Sequence, residues 1–150
     1  MTSRPPESII LDLPARYSYL HLLSDCIADM LLLVDGIDDR EALLYNIQLA
    51  AHEVCTNIVN HAYHNSAKGR IRIVLTLHFD DPALQIDLYD TGISFDFASV
   101  PTPDLDEVRI HGYGLFLIRQ LMDTVTYTAD RGCNHWCLTK SLCLEGCGSR

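Results

Sequence analysis

The chain has few basic residues. Lys and Arg together number 11 of its 150 residues, against 20 Asp and Glu, which gives a formal net charge of −9. Such a chain repels the phosphate backbone that supplies most of the non-specific affinity for nucleic acids. DNA and RNA are therefore not expected as partners.

Long apolar runs are also missing. The longest one, Met30 to Val34, is far shorter than the roughly 20 apolar residues that a membrane-spanning helix needs. The first residues, MTSRPPES, lack the apolar core of a secretory signal. We therefore expect a cytoplasmic protein with no membrane partner. With 48% hydrophobic residues, the 150 residues are enough for one sizeable core and predict a single domain over 1–150.

The six cysteines form no C-x-x-C pair, and no internal repeat is present. Reduced thiols are therefore expected in a chain that does not look secreted. Cys133, His135 and Cys137 alternate and would share one face of a strand. A metal site there is conceivable, although no fourth ligand is evident.

The spacing of apolar residues predicts three helices and five strands. A short strand ends at Pro14, and a helix over 15–34 is followed by Gly36 as its C-terminal cap. A second helix should begin after Asp38, which has capping-box spacing to Glu41, and should run to about Tyr63. Two strands over 71–79 and 83–90 follow, then a long aperiodic segment, a helix over 115–123 and two further strands.

This order of elements predicts the fold class. Strands and helices in the order β-α-α-β-β-α-β-β indicate an α/β (α+β) domain. We expect a two-layer sandwich, in which the helices lie on one face of a mixed, mostly antiparallel sheet.

The stretch AHEVCTNIVNHAY, residues 51–63, lies within the predicted second helix but contains several polar side chains. At about 100° per residue, Glu53, Asn57, Asn60 and His64 form one stripe beside the apolar face, with His61 between the two. A polar stripe that borders the core in this way is a candidate functional site.

Two further polar motifs stand where a strand ends or a helix begins. Asp90-Thr91-Gly92 ends a predicted strand and is followed by Phe95-Asp96. Gly112 and Gly114 precede the apolar helix that starts with Leu115. Each motif alone is ordinary, because Asp and Gly also dominate plain turns. The three motifs in this order, separated by a segment rich in Pro and Asp, form a specific pattern.

Together these motifs resemble the histidine-kinase-like (GHKL) ATPase superfamily, and within it the anti-sigma factors that are serine/threonine protein kinases. Glu53, Asn57 and His61 match the E-x-x-x-N-x-x-x-H pattern of the helix that binds metal and phosphate in that family. Asp90 and Gly92 match the adenine-binding motif, and Gly112, Gly114 and Leu115 match the glycine-rich start of the last helix. The resemblance extends over nearly the whole chain.

The resemblance implies ATP and Mg²⁺ as cofactors. It assigns Glu53 as the catalytic base and Asn57 as the metal ligand. Elementary chemistry agrees: an amide oxygen is an acceptable ligand for Mg²⁺, and an ionised Asp90 can accept a hydrogen bond from the amino group of adenine. A helix N-terminus with glycines can approach a phosphate closely. The implied nucleotide-binding residues are Asn57, Asp90, Gly92, Gly112, Gly114, Leu115 and Asn134, and residues 97–111 would form a lid.

The resemblance also implies partners. Kinases of this kind hold a sigma factor inactive and phosphorylate a serine of a small antagonist protein, and many are homodimers. Two alternatives stay open: a nucleotide-gated protein-binding switch without kinase activity, and a detached histidine-kinase catalytic domain that acts on a separate histidine helix. Glu53 favours the kinase over the switch, because a pure switch has little need for a carboxylate beside the metal ligand.

Overall fold

The computed structural model of the chain describes residues 2–66, 68–95 and 113–146. In these residues five strands form a single sheet, and three helices pack against it. The strands are β1 (Glu7–Pro14), β2 (Arg70–His78), β3 (Ala83–Asp90), β4 (Thr124–Asp130) and β5 (Cys133–Ser141). The helices are α1 (Leu20–Leu31), α2 (Arg40–Asn57) and α3 (Tyr113–Leu121).

The order of strands in the sheet is β1-β2-β3-β5-β4, and each neighbouring pair is antiparallel. The predicted two-layer α/β architecture is confirmed, and the sheet is more regular than the mixed sheet that the sequence suggested. Because β5 is antiparallel to both β3 and β4, these two strands run in the same direction with β5 inserted between them. This split β-α-β unit brings β5 next to the end of β3.

The core lies between one face of the sheet and the helices, as the period of two in the strands predicts. In β2 every second residue is buried, namely Ile71, Ile73, Leu75 and Leu77. Burying apolar area contributes about 25 cal/mol per Å², so this alternation fixes which face of the sheet the helices cover. The helices supply fully buried side chains to the same core, including Leu23, Ile27, Ile47, Val54, Ile58 and Ile118.

The predicted capping box at the start of α2 is wrong. The helix begins at Arg40, and Asp39 precedes it in a left-handed conformation (φ 46°) without a side-chain capping bond. The reason is tertiary, because the Asp38 N–H donates to the Cys143 carbonyl at 2.8 Å and Ile37 bridges Leu144. The segment before the helix therefore pairs with the C-terminal part of the chain and does not cap the helix.

The second helix changes its geometry where the functional motif lies. It is α-helical to Asn57 and continues as a π turn over Ile58–Ala62. The Tyr63 N–H donates to the Ile58 carbonyl at 3.1 Å, and the Asn65 N–H donates to the Val59 carbonyl at 2.9 Å. A π turn widens the helix by one residue, and such turns are frequent at functional sites.

Candidate nucleotide-binding site

The polar stripe of α2 borders the core, as the sequence predicts. Glu53 and Asn57 are half-buried and lie one helical turn apart, while Val54 and Ile58 beside them are buried. Residues four apart on a helix project from the same face. The carboxylate of Glu53 and the amide of Asn57 therefore face the same space at the edge of the core.

The first turn of α3 closes that space. A Cβ atom on Gly114 would lie 2.9 Å from Glu53 Oε2 and 3.9 Å from Asn57 Oδ1. Because glycine has no side chain, α3 approaches both polar groups without displacing the end of Glu53. The start of an α-helix carries unpaired N–H groups and a partial positive charge. The glutamate, the asparagine and a helix N-terminus therefore converge on one place.

Asp90 and Asn134 form the second part of the site. The antiparallel register of β3 and β5 pairs these residues directly, and both are buried, at 3% and 1% exposed. The Asn134 amide nitrogen donates to Asp90 Oδ1 at 2.8 Å and to the Gly92 carbonyl at 3.0 Å. The Gly92 N–H also donates to Asp90 Oδ1, at 3.0 Å. Within the described part of the chain, the bonds to this carboxylate all reach Oδ1, and no hydrogen bond reaches Oδ2.

The surroundings of Asp90 shift its pKa. Burial raises the pKa above its ordinary value of 3.8, because the charged form loses its hydration. The hydrogen bonds from Asn134 and Gly92 oppose this shift, since they favour the ionised form. The buried carboxylate therefore keeps one oxygen fixed by donors and presents the other as an acceptor.

Gly92 joins the Asp90 motif to the end of the second helix. A Cβ atom on Gly92 would lie 2.3 Å from the Ala62 carbonyl oxygen, which is backbone and cannot rotate away. The next N–H, that of Ile93, donates to the same carbonyl at 2.8 Å. The motif therefore requires glycine here because it packs against the π turn. An approach of this residue to a nucleotide base stays a prediction.

A narrow pocket lies between the helix end, the Asp90 motif and the sheet. Its lining combines a few polar groups with apolar and aromatic side chains, which is usual for pockets that bind small molecules. The described residues that line it are Asn57, Ile58, His61, Ala62, Asp90, Ile93, Phe95, Tyr127 and Trp136. Tyr127 and Trp136 are in contact, with ring centroids 4.8 Å apart.

The structure thus brings together most of the residues that the sequence nominated. Glu53, Asn57 and Gly114 meet at one end of the site, and Asp90, Gly92 and Asn134 meet at the other. Leu115 is 3% exposed and belongs to the hydrophobic core, so its contact with a nucleotide stays a prediction. Gly112 and the lid over 97–111 lie outside the described residues.

Sequence reasoning missed several side chains of the site. Ser94 donates to the Asn134 amide oxygen at 2.7 Å, and the hydroxyls of Tyr63 and Tyr127 bind backbone N–H groups near Asp90. No spacing rule relates these residues to the motifs. The single signal for Tyr63 is its position at the end of the second helix, next to His64 of the polar stripe.

The hypothesis of a metal site at Cys133, His135 and Cys137 finds no support. His135 Nε2 lies 2.7 Å from Asp87 Oδ1, and its ring stacks on Tyr89 with centroids 4.3 Å apart. Among the described residues no group of three His, Cys, Asp or Glu side chains is arranged to hold a metal ion. The imidazole of His135 is therefore part of a polar cluster on the face of the sheet that carries no helix.

Comparison with known families agrees with this geometry. The family described as "Histidine kinase-like ATPase domain" matches residues 13–140, a range that includes all the site residues named above. The chain belongs to this family of histidine kinase-like ATPase domains. The membership predicted from the three motifs is confirmed.

Similar proteins from Bacillus species carry the name of a serine kinase. The chain is 34% identical over 138 residues to "Serine-protein kinase RsbW" of Bacillus cereus (strain G9842), a match that covers 84% of this chain and 80% of the relative. The protein of the same name from Bacillus thuringiensis subsp. konkukian (strain 97-27) is also 34% identical, with the same coverage.

Solved structures share the fold. One contains the RsbU and RsbW domains of Rv1364c from Mycobacterium tuberculosis, with a TM-score of 0.65 and 18% identity over 93% of this chain. The match spans 33% of that longer chain. A blue-light activated histidine kinase, EL346 from Erythrobacter litoralis, matches 87% of this chain and 42% of its own, with a TM-score of 0.56 and 18% identity.

The helices of the structure can be compared with the expectation, made from the missing apolar runs, that the chain has no membrane partner. In residues 2–66, 68–95 and 113–146, no helix has the length and apolar character that crossing a bilayer requires.

Proposed function

We propose that this chain is an ATP-dependent serine protein kinase that acts as an anti-sigma regulatory factor and phosphorylates a small antagonist protein. The convergence of Glu53, Asn57 and Gly114 at the start of α3 is the observation that carries the proposal. It combines a carboxylate, an oxygen ligand for a metal and a helix N-terminus suited to phosphate. The relatives named "Serine-protein kinase RsbW" support the same reaction.

Asp90 is the proposed adenine-binding residue. Its Oδ1 accepts bonds from Asn134 and Gly92, which leaves Oδ2 to accept a bond from the exocyclic amino group of adenine. Guanine has a carbonyl oxygen at this position and would meet the carboxylate as a second acceptor. We therefore expect ATP to bind more tightly than GTP.

Asn57 is the proposed ligand for Mg²⁺. Its side chain is half-buried, and its Oδ1 lies near the first turn of α3, where phosphate groups would bind. Mg²⁺ prefers oxygen ligands and keeps several waters, so one amide oxygen together with phosphate oxygens is a suitable set. When bound, the ion would neutralise charge on the phosphates. Asn57 would hold it on the same side of the helix as Glu53.

Glu53 is the proposed general base. A serine hydroxyl of the antagonist would attack the γ-phosphorus of ATP, so that a new O–P bond forms and the bond to the leaving ADP breaks. The serine proton would pass to the Glu53 carboxylate, which lies one turn from Asn57 and against Gly114. A well-placed base accelerates such reactions by roughly 10²- to 10⁴-fold.

The partners follow from the same proposal. The antagonist protein carries the serine that is phosphorylated, and a sigma factor is the protein that the kinase holds inactive. A homodimer and a cytoplasmic location belong to the proposal too. Nucleic acid is not proposed as a partner, because the chain carries a net charge of −9.

The substitution Glu53→Gln tests the kinase. It preserves size and removes the charge, so ATP affinity and partner binding should persist while transfer slows by about 10²-fold or more. Small host proteins captured by the chain would be identified by mass spectrometry and offered as acceptors of ³²P from labelled ATP. Glu41→Gln, in the first turn of α2, is the matched control.

Two results would contradict the proposal. Transfer by Glu53→Gln at the wild-type rate would remove Glu53 from the mechanism. Absence of transfer by the wild-type protein to any captured protein, with ATP binding intact, would favour the nucleotide-gated switch.

A further inference from the structure

The segment that follows Asp90 is held at both ends by tyrosine hydroxyls. The Thr91 N–H donates to the Tyr63 hydroxyl at 2.9 Å, and the Phe95 N–H donates to the Tyr127 hydroxyl at 2.7 Å. Backbone N–H groups in a connecting segment usually bind other backbone groups or water. Here each end is fixed by a side chain from a different element, the end of the second helix and strand β4.

Tyr63 is itself fixed in place. Its hydroxyl donates to the Arg70 carbonyl at 2.7 Å, at the start of β2. Its ring lies over Gly69 so closely that a Cβ atom there would come within 2.5 Å of ring carbons. The hydroxyl that receives the Thr91 N–H is therefore held by the helix end on one side and by the sheet on the other.

Tyr127 is fixed by aromatic packing. Its ring contacts Trp136 with centroids 4.8 Å apart and meets the Phe95 ring edge-on, at 6.1 Å and 83°. Trp136 is 2% exposed, so this side of the pocket is anchored in the core. Edge-on aromatic pairs are favourable beyond the area that they bury, so the Tyr127 ring is held in its orientation.

Between the two tyrosines lie the groups that orient the Asp90 carboxylate. The Gly92 N–H and the Asn134 amide bind Asp90 Oδ1, and Asn134 also binds the Gly92 carbonyl. If either end of the segment moved, the Gly92 peptide would move with it. The direction in which Asp90 Oδ2 points therefore depends on groups held by Tyr63 and Tyr127.

We propose that Tyr63 and Tyr127 are positioning residues for base recognition: their hydroxyls fix the segment 91–95 and thereby aim the free oxygen of Asp90 at the amino group of the adenine base. The inference rests on the proposed function, which assigns Asp90 to that amino group. Neither tyrosine needs to touch the nucleotide for this role.

A purely structural role predicts a different outcome. Loss of either hydroxyl would then weaken all nucleotides equally, because fewer molecules would be folded or the whole pocket would loosen. A positioning role weakens only those ligands that use Asp90. Purine riboside 5′-triphosphate lacks the amino group but keeps the ring, the ribose and the phosphates, and it separates the two roles.

The test uses Tyr63→Phe and Tyr127→Phe in the full chain with Mg²⁺. Calorimetry would give the affinity of each protein for ATP and for purine riboside 5′-triphosphate, and thermal unfolding would confirm that each protein is folded. ATP affinity should fall about three- to tenfold, as expected for one hydrogen bond, while affinity for the analogue changes less than twofold. Tyr45→Phe, on the exposed surface of α2, should change neither value.

Each other outcome has a defined meaning. An equal loss for both ligands, or no loss for either ligand, in a folded variant overturns the positioning role of that tyrosine. The two tyrosines are independent tests, so a variant that fails to fold leaves the decision to the other. If the wild-type protein binds ATP no better than the analogue, the assignment of Asp90 is wrong and the inference falls with it. If the wild-type protein prefers ATP and both variants keep that preference, only the inference is wrong.

Discussion

Gly114 lies beside Glu53 although 61 positions separate them in the chain, and a Cβ atom on the glycine would lie 2.9 Å from Glu53 Oε2. Gly114 is helical, so it gains nothing from the conformational freedom of glycine and loses stability through it. The space beside Glu53 therefore explains the absence of a side chain at this position. Stability and activity should respond in opposite directions when it is filled.

We therefore predict that Gly114→Ala makes the protein more stable and less active. Alanine favours a helix over glycine by up to about 1 kcal/mol, and its methyl group meets only the mobile end of Glu53. The displaced carboxylate should slow phosphoryl transfer by about 10²-fold, as small misplacements of catalytic groups do. Chemical denaturation and transfer of ³²P from ATP are the two measurements.

Gln120→Ala is the control for the effect of helix propensity, because this residue lies on the exposed face of the same helix. It should leave the transfer rate unchanged. A Gly114→Ala protein with wild-type transfer would mean that the contact with Glu53 has no part in catalysis.

Asp90→Asn should separate stability from base recognition. Both hydrogen bonds that the Asp90 carboxylate accepts from the described residues end on Oδ1, so an asparagine oxygen can accept them. The substitution also removes the cost of burying a charge. We therefore expect stability at pH 7 to rise. ATP affinity should fall, because an amide N–H would face the amino group of adenine.

The pH dependence gives a further check on Asp90. Its raised pKa means that the folded state binds the proton more tightly than the unfolded state. The free energy of unfolding of the wild-type protein therefore falls as the pH rises from 3.8 through the raised pKa. The stability advantage of Asp90→Asn over the wild-type protein should therefore be full at neutral pH and shrink as the pH falls through that pKa toward 3.8. Urea unfolding of both proteins between pH 7 and pH 4 would reveal it; an advantage that is constant with pH would exclude burial of the charge as its cause.

Asn57→Ala should remove the dependence of ATP affinity on Mg²⁺ while the fold persists. Asn57 is half-buried, and no hydrogen bond of its side chain is recorded within the described residues, so its truncation should cost less than about 1 kcal/mol. Titration of ATP with and without Mg²⁺ measures the effect. Asn46→Ala, an asparagine about three turns earlier on the same side of α2, should keep the magnesium dependence. Persistence of that dependence in Asn57→Ala would show that another group binds the ion.

Gly92→Ala should destabilise the folded protein directly. Its methyl group would lie 2.3 Å from the Ala62 carbonyl oxygen and 2.5 Å from the carbonyl carbon, and this backbone cannot yield without moving the π turn. Overpacking of this kind costs about 1–3 kcal/mol. Equilibrium unfolding in urea should show the loss, and an unchanged midpoint would mean that the turn relaxes freely.

Local patterns predicted the elements because short-range chemistry decides them. The apolar residues of the first helix recur every three or four positions, and Leu20, Leu23, Ile27 and Leu31 are all buried as expected. Glu53 and Asn57 share a face because four residues make about one helical turn. The capping box failed for the opposite reason, since the backbone of Asp38 pairs with a segment more than a hundred residues away.

The sequence by itself determined which elements form, which faces are apolar, and that a carboxylate, an amide and two glycine motifs occur at their ends. Only the tertiary structure decided which of these groups meet. Asn134 lies beside Asp90 because the register of β3 and β5 pairs them, and Tyr63 reaches Thr91 because the helix end packs against the sheet. Such contacts join residues 28 and 44 positions apart, a separation that no local period encodes. They form when burial of the shared core brings the elements together, and the site geometry follows from that packing.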